Sequence, residues 1–210
     1  MSGGEMRLAI DIETVKGFLD PREGAALYAA ALDAAVRGPL LEIGSYCGKS
    51  SVYLGTACKV RGALLYAIDH HRGSEENQPG WEYHDAQLWD AQTGAMDTLP
   101  LFRDTLRRAQ LEETVIPIVA RSTMAARHWN IPIAMLFIDG GHTLQAALDD
   151  YHGFAPHLIA GGILAIHDVF PDPADGGQAP YEVYKLALAS GRFAPLARVK
   201  SLALLTRVLV

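Results

Sequence analysis

Five short runs in this chain are apolar at nearly every position: Leu40–Ile43, residues 63–68, Val115–Val119, Ile133–Ile138 and residues 163–166. A strand exposed on one face alternates apolar with polar residues, so runs without that alternation need cover on both faces. The stretches between them read as helices. Asp20 precedes Pro21 as an N-cap with proline at the first helical position, and Tyr28, Ala31, Leu32 and Ala35 repeat at helical spacing until Gly38. Residues 49–57 suit a helix behind the first strand and residues 144–151 one behind the fourth, after which Gly161 and Gly162 turn the chain into the fifth. Buried strands alternating with helices predict an α/β fold with a doubly wound, mostly parallel sheet. In the tail, Phe193–Val199 and residues 202–208 flank a Lys200-Ser201 turn, which predicts an antiparallel C-terminal hairpin and seven strands in all.

The chain has 210 residues, half of them hydrophobic, enough for one substantial core and cramped for two. A single domain over residues 1–210 is expected, with residues 1–38 as a leading helical segment. The formal net charge of -6, with scattered Lys and Arg, gives no footprint for a phosphate backbone, which argues against nucleic acid as a partner. Cys47 and Cys58 make neither a disulfide framework nor a zinc quartet and read as reduced thiols. Residues 1–8 lack the apolar core of a leader, and no run approaches the length of a membrane span. A cytoplasmic protein with no membrane partner is expected.

One stretch breaks the alternation. Residues 72–99 are polar and punctuated by Gly73, Pro79, Gly80 and Gly94, yet they carry Trp81, Tyr83 and Trp89. They follow the second strand, on the edge where open α/β sheets bind ligands, and read either as a lid or substrate insert or as a surface loop anchored by its aromatics.

Four segments carry chemistry. The run Leu41-Glu42-Ile43-Gly44-Ser45-Tyr46-Cys47-Gly48-Lys49-Ser50-Ser51 leads a strand through a glycine turn into a helix, where a ligand can approach bare backbone and helix N-terminal amides. Gly44 and Gly48 enclose three residues where a P-loop needs four, and Tyr46 and Lys49 stand where a dinucleotide fingerprint needs glycines. Asp69 ends Tyr66-Ala67-Ile68-Asp69, 25 residues after Gly44, where a carboxylate can accept both hydroxyls of a ribose. The buried run 135–138 breaks into Asp139-Gly140-Gly141-His142, and Ile163-Leu164-Ala165-Ile166 into His167-Asp168. Adjacent parallel strands would set Asp139, His167 and Asp168 on one rim. Two carboxylates and an imidazole can hold a divalent ion, and oxygen-rich ligation favours magnesium. Read for structure alone, Asp139 caps the helix near Thr143, and His142 and His167 are satisfied strand-end histidines.

Together these segments resemble the class I S-adenosylmethionine-dependent methyltransferases, whose fold is Rossmann-like. Over residues 39–168 the strand-end motifs resemble most the bacterial subfamily of macrocin and mycinamicin sugar O-methyltransferases and cephalosporin hydroxylase-type proteins. The resemblance implies that Glu42, Gly44, Ser45, Gly48, Ser50, Ser51, Asp69, Ser122 and Asp139 bind the S-adenosylmethionine, with Ser122 near its adenine. It also implies magnesium held at Asp139, His167 and Asp168, with His142 as the base. His167 stands where the sugar enzymes have Glu. A sugar or oligosaccharide acceptor is expected, such as a methylated-polysaccharide precursor. A catechol-type small molecule and a noncatalytic binding or assembly role stay open, as does a homodimer. A nucleotide hydrolase, with Phe137-Ile138-Asp139 as its acidic strand, is the remaining rival.

Overall fold

The computed structural model describes residues 6–74, 77–80 and 84–208. Its strands are β1 (Leu40–Ile43), β2 (Leu65–Asp69), β3 (Trp89–Asp90), β4 (Ala95–Met96), β5 (Val115–Val119), β6 (Ile133–Ile138), β7 (Leu158–Ile166), β8 (Phe193–Val199) and β9 (Leu202–Arg207). Seven of them form one sheet in the order β5-β2-β1-β6-β7-β9-β8, while β3 and β4 pair separately. The first five in that order run parallel, and β9 and β8 close the sheet as an antiparallel hairpin. This is the seven-stranded, mostly parallel α/β sheet that the apolar runs predict.

Helices cover both faces: α1 (Pro21–Ala34), α2 (Lys49–Arg61), α3 (Leu99–Arg108), α4 (Ser122–Ala126), α5 (Leu144–Phe154) and α6 (Ala179–Ala189). Because strand side chains alternate, Leu40, Ala67, Met135, Phe137 and Ala165 pack under α1, α2 and α3. Leu41, Ile43, Leu136, Ile138 and Ile166 pack against α5 and α6 on the other face. Burying one such aliphatic side chain contributes about 1.5–3 kcal/mol, so the two layers outweigh any polar contact on the surface. Cys47 and Cys58 are free thiols inside this packing, and burial pushes both up to about 12.

The register sets the site. Ile43 pairs with both Ile68 and Ile138, and Ile138 pairs with Ile166, so β1, β6 and β7 end level and β2 runs one residue further. The next residues, Gly44, Asp69, Asp139 and His167, therefore share one rim. Chain connections leave β1 for β2 on one side, and β6 lies on the other, which makes the carboxyl end of β1 the switch point where such sheets open a crevice.

Three details differ from the sequence reading. Gly161 and Gly162 do not turn the chain into the fifth strand; they lie within β7, where the pairing with β6 shifts register between Ile133 and Met135 and Gly161 takes φ +71°. The pairing with β6 resumes only at Ile163, so β7 carries three residues more than β6 across this irregularity, and a glycine accepts the left-handed backbone it requires. β2 begins at Leu65 rather than at residue 63. The segment 72–99 holds a short 3-10 turn at Ala86–Leu88 and the β3–β4 hairpin, with Leu88 and Met96 buried against Cys47; Trp81 and Tyr83 lie outside the described residues.

Candidate active site

One half of the rim is made of backbone. Gly44 has φ +86°, and a Cβ there would lie 2.0 Å from the backbone oxygen of Asp139, so the turn closes against β6 only because residue 44 has no side chain. Gly48, at φ +95°, is the residue before α2, and no side chain caps that helix. Asp69 ties the turn to β2: Tyr46 N–H donates to Oδ2 (2.8 Å) and His71 N–H to Oδ1 (2.7 Å), leaving further lone pairs on each oxygen. Ser45 is buried, and its Oγ has no hydrogen-bond partner among the described residues.

Beneath this turn sits Glu42, wholly buried, with the hydroxyls of Ser50 and Ser51 on its two oxygens. Burial raises its pKa to about 8, against the two hydroxyls and with help from the charges of Asp139 and Asp69. Glu42 is therefore mostly protonated at neutral pH and clamps the start of α2 to β1.

The other half is made of side chains. One ligating atom from each of Asp139, His142 and Asp168 falls within 4.8 Å of the others, and His142 Nε2 stands 3.3 Å from Asp168 Oδ2. His167 sits behind them, 5% exposed, with Nδ1 3.1 Å from Asp139 Oδ1 and 3.4 Å from Asp168 Oδ1. Its Nε2 faces Glu23 Oε2 at 3.1 Å. Burial opposes ionisation of the Asp168 carboxyl, yet the hydrogen bond and charge of His167 and the charge of His142 hold it below the usual range.

The two halves face a common cavity of about 1000 Å³. Of the residues assigned from the sequence, Gly44, Ser45, Ser50, Asp69, Ser122, Asp139, His142, His167 and Asp168 line it; Glu42, Gly48 and Ser51 do not. Those three shape the turn from behind. The structure also groups the metal-competent atoms differently, with His142 beside the two aspartates and both nitrogens of His167 turned to carboxylates.

Two buried acids escaped the sequence reading. Asp150 of α5 lines the wall next to Ser122, whose hydroxyl lowers its pKa against the larger effect of burial, which raises it to about 6. Glu23 completes a capping box with Asp20, and the Asp20-x-x-Glu23 spacing carries that signal, but only the packing of α1 reveals its approach to His167. Lys16, paired with Asp85 of the 72–99 segment, and Phe18, tilted 5.9 Å from the Tyr46 ring, add the N-terminal segment to the wall.

Residues 41–169 match the family described as methyltransferase domain, a span that takes in the glycine turn and both strand-end motifs. The chain belongs to that family. The methyltransferase also superposes on solved structures of low identity, which speak for the fold. The O-methyltransferase NovP is 16% identical with a TM-score of 0.68, over 90% of this chain and 80% of that one. TomG from Streptomyces achromogenes, an O-methyltransferase of tomaymycin synthesis solved in complex with SAM, is 15% identical with a TM-score of 0.63, over 91% and 82%. An O-methyltransferase from Bacillus cereus, solved in complex with SAH, is 18% identical with a TM-score of 0.60, over 91% and 83%. Among the described residues no helix is long and apolar enough to cross a membrane.

Proposed function

We propose that this methyltransferase moves a methyl group from S-adenosylmethionine to a hydroxyl oxygen, and that Asp139, His142 and Asp168 form the reacting side of the site. The observation that carries the reading is their convergence across one cavity from the glycine turn. The donor side fits the cofactor: a turn that admits no side chain at residue 44, an unsatisfied buried hydroxyl at Ser45 and the Asp69 carboxylate make a cradle for an amino acid and a ribose. S-adenosylmethionine supplies an electrophilic methyl carbon on a sulfonium. At about 1000 Å³ the cavity lies at the top of the range for one small ligand, which leaves room for an acceptor beside it.

Transfer is an in-line displacement, so the protein's tasks are to align the acceptor oxygen and to take its proton. His142 is placed for the second task. If its Nε2–H is donated to Asp168, the lone pair is left on Nδ1, and Asp168 steadies the imidazolium formed. The donor set of Asp139 and Asp168, with His142 adjacent, also fits a divalent cation such as magnesium, which would acidify and fix the hydroxyl. Asp139 and Asp168 would hold it.

Within this reading the 72–99 segment is a substrate insert, and the acceptor is a sugar or oligosaccharide. Lys16, held by Asp85 of that segment, and Gln78 put polar groups on the wall of the kind a polyol needs. The sugar subfamily and a cytoplasmic location belong to the same proposal. Calorimetry with S-adenosylmethionine, its demethylated product and ATP tests the donor; tight ATP binding without the sulfonium would sink the reading. A methyl-transfer assay over sugars and catechols, with and without chelator, tests the acceptor and the cation, and binding without turnover on any acceptor would favour a noncatalytic role.

A further inference from the structure

Glu23 is a buried ionised group that the scheme above leaves unused. Its Oε1 accepts from Ser201 N–H (2.9 Å), Ser201 Oγ–H (2.7 Å) and Leu202 N–H (3.2 Å). Its Oε2 accepts from Asp20 N–H (3.3 Å) and faces His167 Nε2 (3.1 Å). Across the ring, His167 Nδ1 faces Asp139 Oδ1 (3.1 Å) and Asp168 Oδ1 (3.4 Å). Among the described residues, every polar neighbour of the imidazole at these distances is thus an acceptor. A neutral ring has one N–H and would press a lone pair against a carboxylate on its other edge; a ring with N–H on both nitrogens satisfies both.

Resting on the methyl-transfer reading, we propose that Glu23 is a positioning residue. Through the ring of His167 it fixes the carboxylates of Asp139 and Asp168 where they meet the acceptor, and it couples their placement to the seating of α1 on the β8–β9 turn. A purely structural account would have Glu23 do no more than pin α1 to that turn.

Glu23→Gln and Ser201→Ala separate the two. Ser201→Ala removes a contact of Oε1 and leaves His167 untouched. In Glu23→Gln, the three donors of Ser201 and Leu202 select the amide oxygen, which turns the NH₂ toward His167 Nε2 and sets donor against donor. The ring N–H protons of ¹⁵N-histidine-labelled protein are read at one fixed pH without ligands, together with steady-state kinetics. Two downfield His167 signals are expected in the parent and in Ser201→Ala, with the Nε2–H signal lost in Glu23→Gln. Turnover should fall about 10-fold or more in Glu23→Gln, as for other outer partners of site histidines, with the KM for the methyl donor changed by less than about 3-fold. Ser201→Ala should keep turnover within about 2-fold, since it removes one of the three donors to Oε1 and no contact of His167.

The proposal is overturned if Glu23→Gln keeps both signals, if it keeps turnover within that range, or if Ser201→Ala loses as much. Should Glu23→Gln not fold, Glu23→Asp retains the charge but is too short to reach both Ser201 and His167; an unmoved Nε2–H signal with parental turnover in that variant overturns the proposal equally. The spectra need no acceptor. A protein that methylated nothing would refute the methyl-transfer reading, while the spectrum would still show whether Glu23 governs the ring.

Discussion

Glu42 and Glu23 are both buried under the rim of this methyltransferase, one beneath each half, and their pKa values move in opposite directions. Burial raises both. Glu42 meets only two hydroxyls and the charges of two further acids, and ends at about 8. Glu23 meets His167 and the donors of Ser201, which overcome burial and bring it to about 2. The contrast follows the construction of the two halves. The glycine-turn half is backbone held by a clamp that burial keeps largely protonated, which on the proposed reading suits a ligand recognised by shape and amides; in the other half Glu23 and His167 stabilise each other's charge, which on the same reading suits moving charge.

The division is broken most directly at His142. His142→Ala is expected to lower turnover by about 10²–10⁴-fold, the usual contribution of a general base, while product-cofactor affinity measured by calorimetry stays within about 3-fold. An equal loss in both quantities would mean that the halves are not separate. Gly44→Ala should do the reverse. A left-handed φ and a Cβ 2.0 Å from the Asp139 carbonyl oxygen cost about 3 kcal/mol of stability in urea unfolding, with cofactor affinity lost first.

The glutamate clamp makes a pH test. The folded-state pKa of Glu42 is raised above its unfolded value near 4.5, so its contribution to stability is fully present below pH 4.5 and is lost as pH rises through about 8. Across that window the parent should lose on the order of 2 kcal/mol relative to Glu42→Gln, which has no such proton, once relaxation around the ionised group is allowed for. Unfolding midpoints at pH 5, 7 and 9 check the sign. The smallest effect is expected at Ser122→Ala, which deprives Asp150 of a donor on the cavity wall: about 1 kcal/mol of product-cofactor affinity and no change in the KM for the acceptor.

Much of the fold was legible because the runs that became strands are largely apolar, whether the strand is central and buried, as β1 and β6 are, or an edge with exposed residues, as β5 and β8 are. The runs that became β1, β5, β6, β8 and the core of β7 were visible as such, and Asp69, Asp139 and His167-Asp168 stood out because acids end runs that otherwise belong inside. That β7 begins before its glycines and continues through an irregularity there was not visible, since Gly161-Gly162 reads equally as a turn. Nor was the division of labour between the two histidines. His142 and His167 each follow a strand end, and only the packing of α1 decides that His167 faces Glu23 and leaves His142 beside Asp139 and Asp168. Glu23 lies 144 residues from His167, a separation across which local spacing carries no information. The roles of Glu42, Gly48 and Ser51 were blurred for a related reason: a motif names the residues of a turn without saying which ones face the ligand.

The level ends of β1, β6 and β7 act as a ruler. Pleat parity decides that Ile138 points into one layer and that the residue after it escapes the sheet, so a single inserted residue in β6 would carry Asp139 past the rim and leave an apolar residue in its place. Loops such as 72–99 can lengthen, shorten or change sequence without disturbing that measure. Descendants of this fold could therefore exchange acceptors by rewriting loops, while strand length, which contributes no atom to the chemistry, is the property they are least free to alter.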